Sequence, residues 1–101
     1  MSLRALVIHE KDNVANLIGP GAKGQSVECV VEGKQQTTVV TLLDDIPPNH
    51  KFAFADIKAG EPIIKYGLSI GRASCDIRKG QHVHVHNIES NRGRGDLTAS
   101  P

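Results

Sequence analysis

The hexapeptide Asp56-Ile57-Lys58-Ala59-Gly60-Glu61 returns 20 residues later as Asp76-Ile77-Arg78-Lys79-Gly80-Gln81, and each copy leads directly into an apolar segment. The unit has a mechanical reading. Its Ile plugs a core, a basic residue and one more polar or small residue cross the surface, and its Gly takes the positive φ of a sharp turn. Two copies at so short a spacing predict a compact, convoluted β-fold with many tight turns. A solenoid is excluded, since it needs at least about three stacked units.

Elsewhere the apolar residues alternate or run in short blocks between turn residues, and no long stretch holds the i, i+3, i+4, i+7 spacing of a helix. The fold class expected is therefore mainly β, with at most one short helix. Strands are predicted over Arg4 to His9, Ser26 to Val31, Thr37 to Leu43, Lys51 to Ala55, Ile63 to Tyr66, Leu68 to Ala73 and His82 to Asn87. Glu32-Gly33-Lys34 reads as a hairpin turn. Asp12 is placed to cap one helical turn through Val14-Ala15-Asn16-Leu17, because its carboxylate can accept the unpaired amides there. With only Phe52, Phe54 and Tyr66 as aromatics in 101 residues, the core must be aliphatic.

That length predicts one domain, over residues 1–90, and excludes a large enzyme. Residues 91–101 contain almost nothing that can be buried, so they read as a tail that is disordered or laid on a partner. Residues 1–90 carry 10 basic and 10 acidic side chains, which leaves no broad cationic face for nucleic acid or anionic lipid. No apolar run approaches the roughly 20 residues that span a bilayer, and no signal-peptide pattern is present, so a cytoplasmic protein is expected. Cys29 and Cys75 read as buried thiols, since neither belongs to a CxxC pair or a disulfide framework. Gly19-Pro20-Gly21-Ala22-Lys23-Gly24 spells a dinucleotide fingerprint, but the β-like Ser26 to Val31 follows where a helix N-terminus is needed, so it reads as a flexible loop. Arg94-Gly95-Asp96 is taken as a chance spelling of an adhesion tripeptide.

The strongest chemical signal is His82-Val83-His84-Val85-His86, which holds three of the five histidines. On an extended strand, alternation sends the imidazoles to one face and both valines to the core. Neighbouring histidines then stand about 6.6 Å apart at the backbone, close enough to share an ion, whereas His82 and His86, about 13 Å apart, cannot readily do so. Any metal site must be completed from elsewhere, with His50 the obvious third ligand, and Asn87 available for a hydrogen bond. The competing reading is a half-exposed strand that tolerates histidine. In Ile46-Pro47-Pro48-Asn49-His50-Lys51 the prolines fix the entry and Asn tolerates a left-handed turn, so that His50 and Lys51 emerge at the start of a strand. Lys65 and Tyr66 add a cation and a phenol able to hold a carboxylate or sulfonate.

From Ile46 to Asn87, these segments together with Ile64-Lys65-Tyr66-Gly67, Ile70-Gly71 and Gly80-Gln81 resemble the SAF-type small domain of the altronate and galactarate dehydratases. Asp12-Asn13-Val14-Ala15 looks like the same family's opening motif. The resemblance implies a β-clip fold and elimination chemistry on a sugar acid or other hydroxy acid, often with a divalent metal such as Fe2+ that is shared with or held by the large subunit. It also implies a small subunit of a hydro-lyase that is inactive without a large catalytic subunit, as in sulfolactate sulfo-lyase. The family commonly reads V-H-x-H-N where this chain has Val83 to Asn87, which favours His84 and His86 over His82 as metal ligands. The expected catalytic residues are His84, His86 and His50, and the expected substrate contacts are Lys51, Lys65, Tyr66 and Asn87. Asn49 stands where Gly is usual, and Asn also adopts positive φ. Two other readings stand beside this one: a non-catalytic module that binds a sugar acid or docks a partner, and a small metal carrier.

Overall fold

A computed structural model describes residues 3–34 and 36–90. Among the described residues nine strands follow in order: β1 Leu3–Val7, β2 Val14–Ile18, β3 Ser26–Val31, β4 Thr37–Thr41, β5 Lys51–Ala53, β6 Pro62–Lys65, β7 Leu68–Ala73, β8 His82–Val83 and β9 Ile88–Glu89. They form a six-stranded sheet in the order β4-β3-β1-β2-β5-β8 and a three-stranded sheet in the order β6-β7-β9. No helix occurs among the described residues. The mainly β architecture expected is thus the observed one, and Glu32-Gly33-Lys34 makes its turn, with Gly33 at φ 85° and the Lys34 amide donating to the Val31 carbonyl at 3.0 Å.

The helix expected at Val14 to Leu17 is instead strand β2. This segment lies between β1 and β5, pairing Ala5 with Leu17 and Ala15 with Phe52. A single isolated helical turn is marginal, so ladder bonds on both sides decide the conformation. Asp12 still caps, but it caps a turn: Oδ2 accepts the His9 amide at 3.1 Å and Oδ1 the Gly67 amide at 2.8 Å. Asn13 completes this link by accepting the Ile64 amide at 2.7 Å and donating to the Pro62 carbonyl at 2.9 Å. The loop before β2 thereby fastens the β6–β7 hairpin to the larger sheet.

Two aliphatic clusters fill the interior. One gathers Val7, Leu17, Val27, Val40, Leu42, Ile46 and Phe52, and the other gathers Val14, Ala53, Ile57, Ile63, Ile77 and Val83. Cys29 is buried, and burial pushes its thiol up to about 11. Cys75, expected inside, is exposed, because it lies in the bend that precedes the second repeated turn.

Among the described residues the repeated hexapeptide occurs in four structural copies, not two. They are residues 20–25, 45–50, 56–61 and 76–81, each a bridge residue followed by a tight turn. They associate in pairs through their second residues, Gly21 with Ile46 and Ile57 with Ile77. In every copy the sixth residue's amide donates to the third residue's carbonyl, at 2.9–3.2 Å, and the fifth residue has positive φ: Gly24, Asn49, Gly60 and Gly80. Where the first residue is Asp56 or Asp76, its carboxylate accepts the fourth residue's amide in the paired turn, Lys79 and Ala59 respectively, both at 2.8 Å. Asp45 does the same for Lys23 at 2.9 Å. The glycine-rich segment at 19–24 therefore lies in an ordered turn, not a flexible loop, and strand β3 follows it. The segment expected as a tail, with Arg94-Gly95-Asp96, lies outside the described residues.

Candidate active site

Each turn hands its chain to a strand, and the second and fourth turns deliver β5 and β8, neighbours in the large sheet. His50 is the last residue of the second turn and His82 the first residue after the fourth, so the topology brings them together across 32 residues of sequence. Phe52 pairs with His82, and Lys51 with Val83. The His82 amide donates to Asp44 Oδ2 at 3.0 Å, which anchors the start of β8.

The extended strand expected through Asn87 stops after Val83. Asn87 is buried and folds the chain back on itself: Oδ1 accepts the His84 amide at 3.0 Å, Nδ2 donates to the His82 carbonyl at 2.9 Å, and its own amide donates to the His84 carbonyl at 3.0 Å. Val83 is inside as expected, whereas Val85 is 81% exposed at the tip of the turn. The turn also corrects the separation of His82 and His86, whose ring centroids lie 5.2 Å apart instead of at the two ends of a straight strand.

His50 Nδ1 lies 2.9 Å from His82 Nε2, a hydrogen bond that needs one ring to donate and the other to accept. The His84 ring stacks on His50 at 4.4 Å between centroids and faces His82 at 5.6 Å, nearly parallel. Nitrogens of His50, His82 and His84 all fall within 4.8 Å of one another, and all three residues are half-buried. His86 is exposed and stands beside His82, outside this converging set. Burial lowers the pKa of His82, and the neighbouring His86, His50 and His84 lower it further against the opposing pull of Asp44. Partial desolvation lowers His84 as well, followed by His50, Lys51 and His86. Neutral imidazoles are the metal-binding form, so proximity and electrostatics favour the same state.

Three imidazoles are a donor set that suits Fe, Zn, Ni or Cu in the divalent state. Bonds of about 2.0–2.1 Å require the rings to close further around an ion, which side-chain rotation at a half-buried surface permits. The donor set therefore fits a divalent cation, through His50, His82 and His84. The pairing of His84 with His86 expected from the resemblance is not the one whose nitrogens converge.

Lys51, half-buried, has its pKa lowered by burial and by the charge of Lys65. Lys65 ends β6 with its Nζ 5.0 Å from the Tyr66 ring centroid. Tyr66 and Gly67, both at positive φ, form the two-residue loop of the β6–β7 hairpin. A β-carbon on Gly67 would lie 3.0 Å from the exposed His9 ring, which would have to shift, and the positive φ itself favours glycine there. Lys51 thus stands between the histidines and the hairpin, its charge felt by His84 on one side and meeting that of Lys65 on the other. Asn87, expected as a substrate contact, instead spends both polar groups on the turn. The resemblance places His82 below its neighbours, whereas the geometry makes it central. Asp44 has no part in the sequence-based expectations; its signal is its place just before an Asp-Ile pair that matches the repeat. Among the described residues no enclosed cavity adjoins the cluster, which opens to the surface.

A sequence profile of the altronate/galactarate dehydratase SAF domain matches residues 3–91. Altronate dehydratase of Escherichia coli (strain K12) is 42% identical over 89 residues, which is 88% of this chain and 17% of that protein. The (2R)-sulfolactate sulfo-lyase subunit alpha of Chromohalobacter salexigens is 37% identical over 89 residues, 85% of this chain and 94% of the subunit. Altronate dehydratase of Bacillus subtilis (strain 168) is 38% identical over 84 residues and is matched over 16% of its length. The chain spans about a sixth of the two dehydratases and nearly the whole of the sulfo-lyase subunit.

Proposed function

Because the chain belongs to the SAF-domain family of the altronate and galactarate dehydratases, we propose that it is the small subunit of a lyase removing water from a sugar acid, or sulfite from sulfolactate, and that it works against a large catalytic chain. The observation that carries this reading is the histidine cluster with Lys51 beside it, which lies open on the surface of a domain that matches nearly the whole of a sulfo-lyase subunit alpha.

Elimination from a β-substituted acid needs a base for the α-proton, stabilisation of the enolate-like carboxylate, and an acid or metal for the leaving group. Lys51 and Lys65 are suited to hold the substrate carboxylate or sulfonate, with the Tyr66 hydroxyl as a further donor. His86, exposed beside the cluster, offers an imidazole that can serve as acid or base toward a substrate bound there. A divalent cation such as Fe2+, held by His50, His82 and His84, would supply Lewis-acid chemistry to the elimination. The remaining groups, and the walls that exclude water, come from the partner chain. We place the assembly in the cytoplasm, where the free thiols of Cys29 and Cys75 stay reduced.

The test is co-expression with the large dehydratase-type chain, followed by assay on altronate, galactarate and sulfolactate. The complex is expected to be active, and His84→Ala and His50→Ala are expected to lower kcat at least about a hundredfold while the complex stays assembled. Full activity in both variants would remove the cluster from the site, and failure of any large chain to associate would remove the subunit assignment.

A further inference from the structure

We propose that Pro47 is a positioning residue of the histidine site: by deleting one backbone donor, it releases His50 from a capping duty that the equivalent residue performs in each of the other three turns. In those turns the third residue's amide is capped by the side-chain oxygen of the sixth. Ala22 donates to Gln25 Oε1 at 2.6 Å, Lys58 to Glu61 Oε1 at 2.8 Å and Arg78 to Gln81 Oε1 at 2.6 Å. The sixth residue is thus committed locally, and its side chain lies back over its own turn.

The second turn keeps the frame of the others. Its sixth amide donates to its third carbonyl at 3.2 Å, Asn49 has φ 66°, and Ile46 bridges Gly21. It differs at the positions that create the duty. Pro47 has no amide hydrogen, so nothing at the third position asks for an acceptor. The side chain of His50 is then free to swing out to His82 and His84. Pro48 removes the fourth residue's donor too, and the facing first residue, Pro20, correspondingly lacks the aspartate that receives this donor in the other turns. Imidazole could itself have capped an amide here, since the Lys11 amide donates to His9 Nδ1 at 3.1 Å in this same chain. A non-proline residue at position 47 would therefore compete with His82 for the His50 ring.

This inference rests on reading the cluster as the functional site, but its test needs neither substrate nor partner. Pro47→Ala and Pro48→Ala lose the same chain stiffness, and only the first restores the amide that the His50 ring can cap. In the isolated chain, the through-space NMR contacts between the His50 and His82 rings are expected to weaken at least severalfold in Pro47→Ala, with the amide restored at position 47 protected from exchange, and to persist in Pro48→Ala. In a His50→Gln background the pattern reverses: Pro47→Ala rebuilds the ordinary capped turn, so its Tm is expected to exceed that of Pro48→Ala by about 4 °C or more. Unchanged His50–His82 contacts in Pro47→Ala, or equal Tm values for the two prolines' variants in the His50→Gln background, would overturn the proposal.

Discussion

Asn87→Ala is the substitution that best separates a substrate contact from a structural clamp. Asn87 is 6% exposed and makes two side-chain hydrogen bonds, to the His84 amide and the His82 carbonyl. Each such bond contributes about 1 kcal/mol net, and truncation also leaves a half-buried donor and acceptor without their partner, so the expected loss is about 2–3 kcal/mol. For a domain of this size that lowers Tm by about 10–20 °C. Urea unfolding followed by circular dichroism measures the loss directly, with Asn87→Asp as a second variant. Aspartate keeps an acceptor for His84 but turns an oxygen toward the His82 carbonyl, so it is expected to be no more stable than the alanine variant above about pH 6. A structural clamp also predicts that the His84 ring loses its contact with His50 in the NMR spectrum. A loss below about 0.5 kcal/mol, together with a raised KM and undisturbed rings, would refute the reasoning and return Asn87 to the substrate.

Three other predictions test the frame and the charges. Gly80→Ala is expected to destabilise by about 3 kcal/mol or more, because φ is 97° and the new β-carbon would sit 2.3 Å from the Thr41 carbonyl oxygen; Gly60→Ala, at φ 87° with nothing within 4 Å, should cost only about 1–2 kcal/mol, and urea midpoints compare them. His82 and His84 both have pKa values lowered from 6.5 in the folded chain, so the unfolded chain binds more protons in that range and stability is expected to fall as pH drops below about 6.5. Denaturation between about pH 8 and pH 5 should show this slope, and a double His82→Asn, His84→Asn variant should flatten it. Lys65→Gln removes a positive neighbour of Lys51 and is expected to raise the Lys51 pKa, read by NMR titration of the ε-methylene; no upward shift would show that burial alone sets it.

Much of the frame is legible in the sequence because turn chemistry is local. Asp-Ile at a fixed distance before a residue able to take positive φ marks residues 56–61 and 76–81, and strands β3 and β7 fall where alternation places them. Residues 45–50 carry the same Asp-Ile, but Pro47, Pro48 and Asn49 disguise the match, and in residues 20–25 Gly21 replaces the isoleucine because its space is taken by Leu42 and Leu17. Strand β2 escapes sequence reading since Asp12 offers a plausible cap, and only pairing with distant β1 and β5 tells against a helix. Composition and alternation find the histidines, yet they misjudge the geometry. Whether Asn87 faces outward or bends the chain under itself depends on a three-residue hydrogen-bond loop, which periodicity does not register. His50 can be nominated from the sequence, but its partner His82 follows only from the sheet order that sets β5 beside β8.

Strand β8 is two residues long and forms the outer margin of the larger sheet, so it is the seam along which local opening needs the fewest broken backbone bonds. The site straddles that seam, with His50 on one bank and His82 and His84 on the other. Anything that grips both banks acts as a rivet on that border of the larger sheet. Occupancy should therefore appear as slowed amide exchange at Val83 and Asn87 before it appears anywhere in the interior, and an empty site should leave the same border the first to loosen.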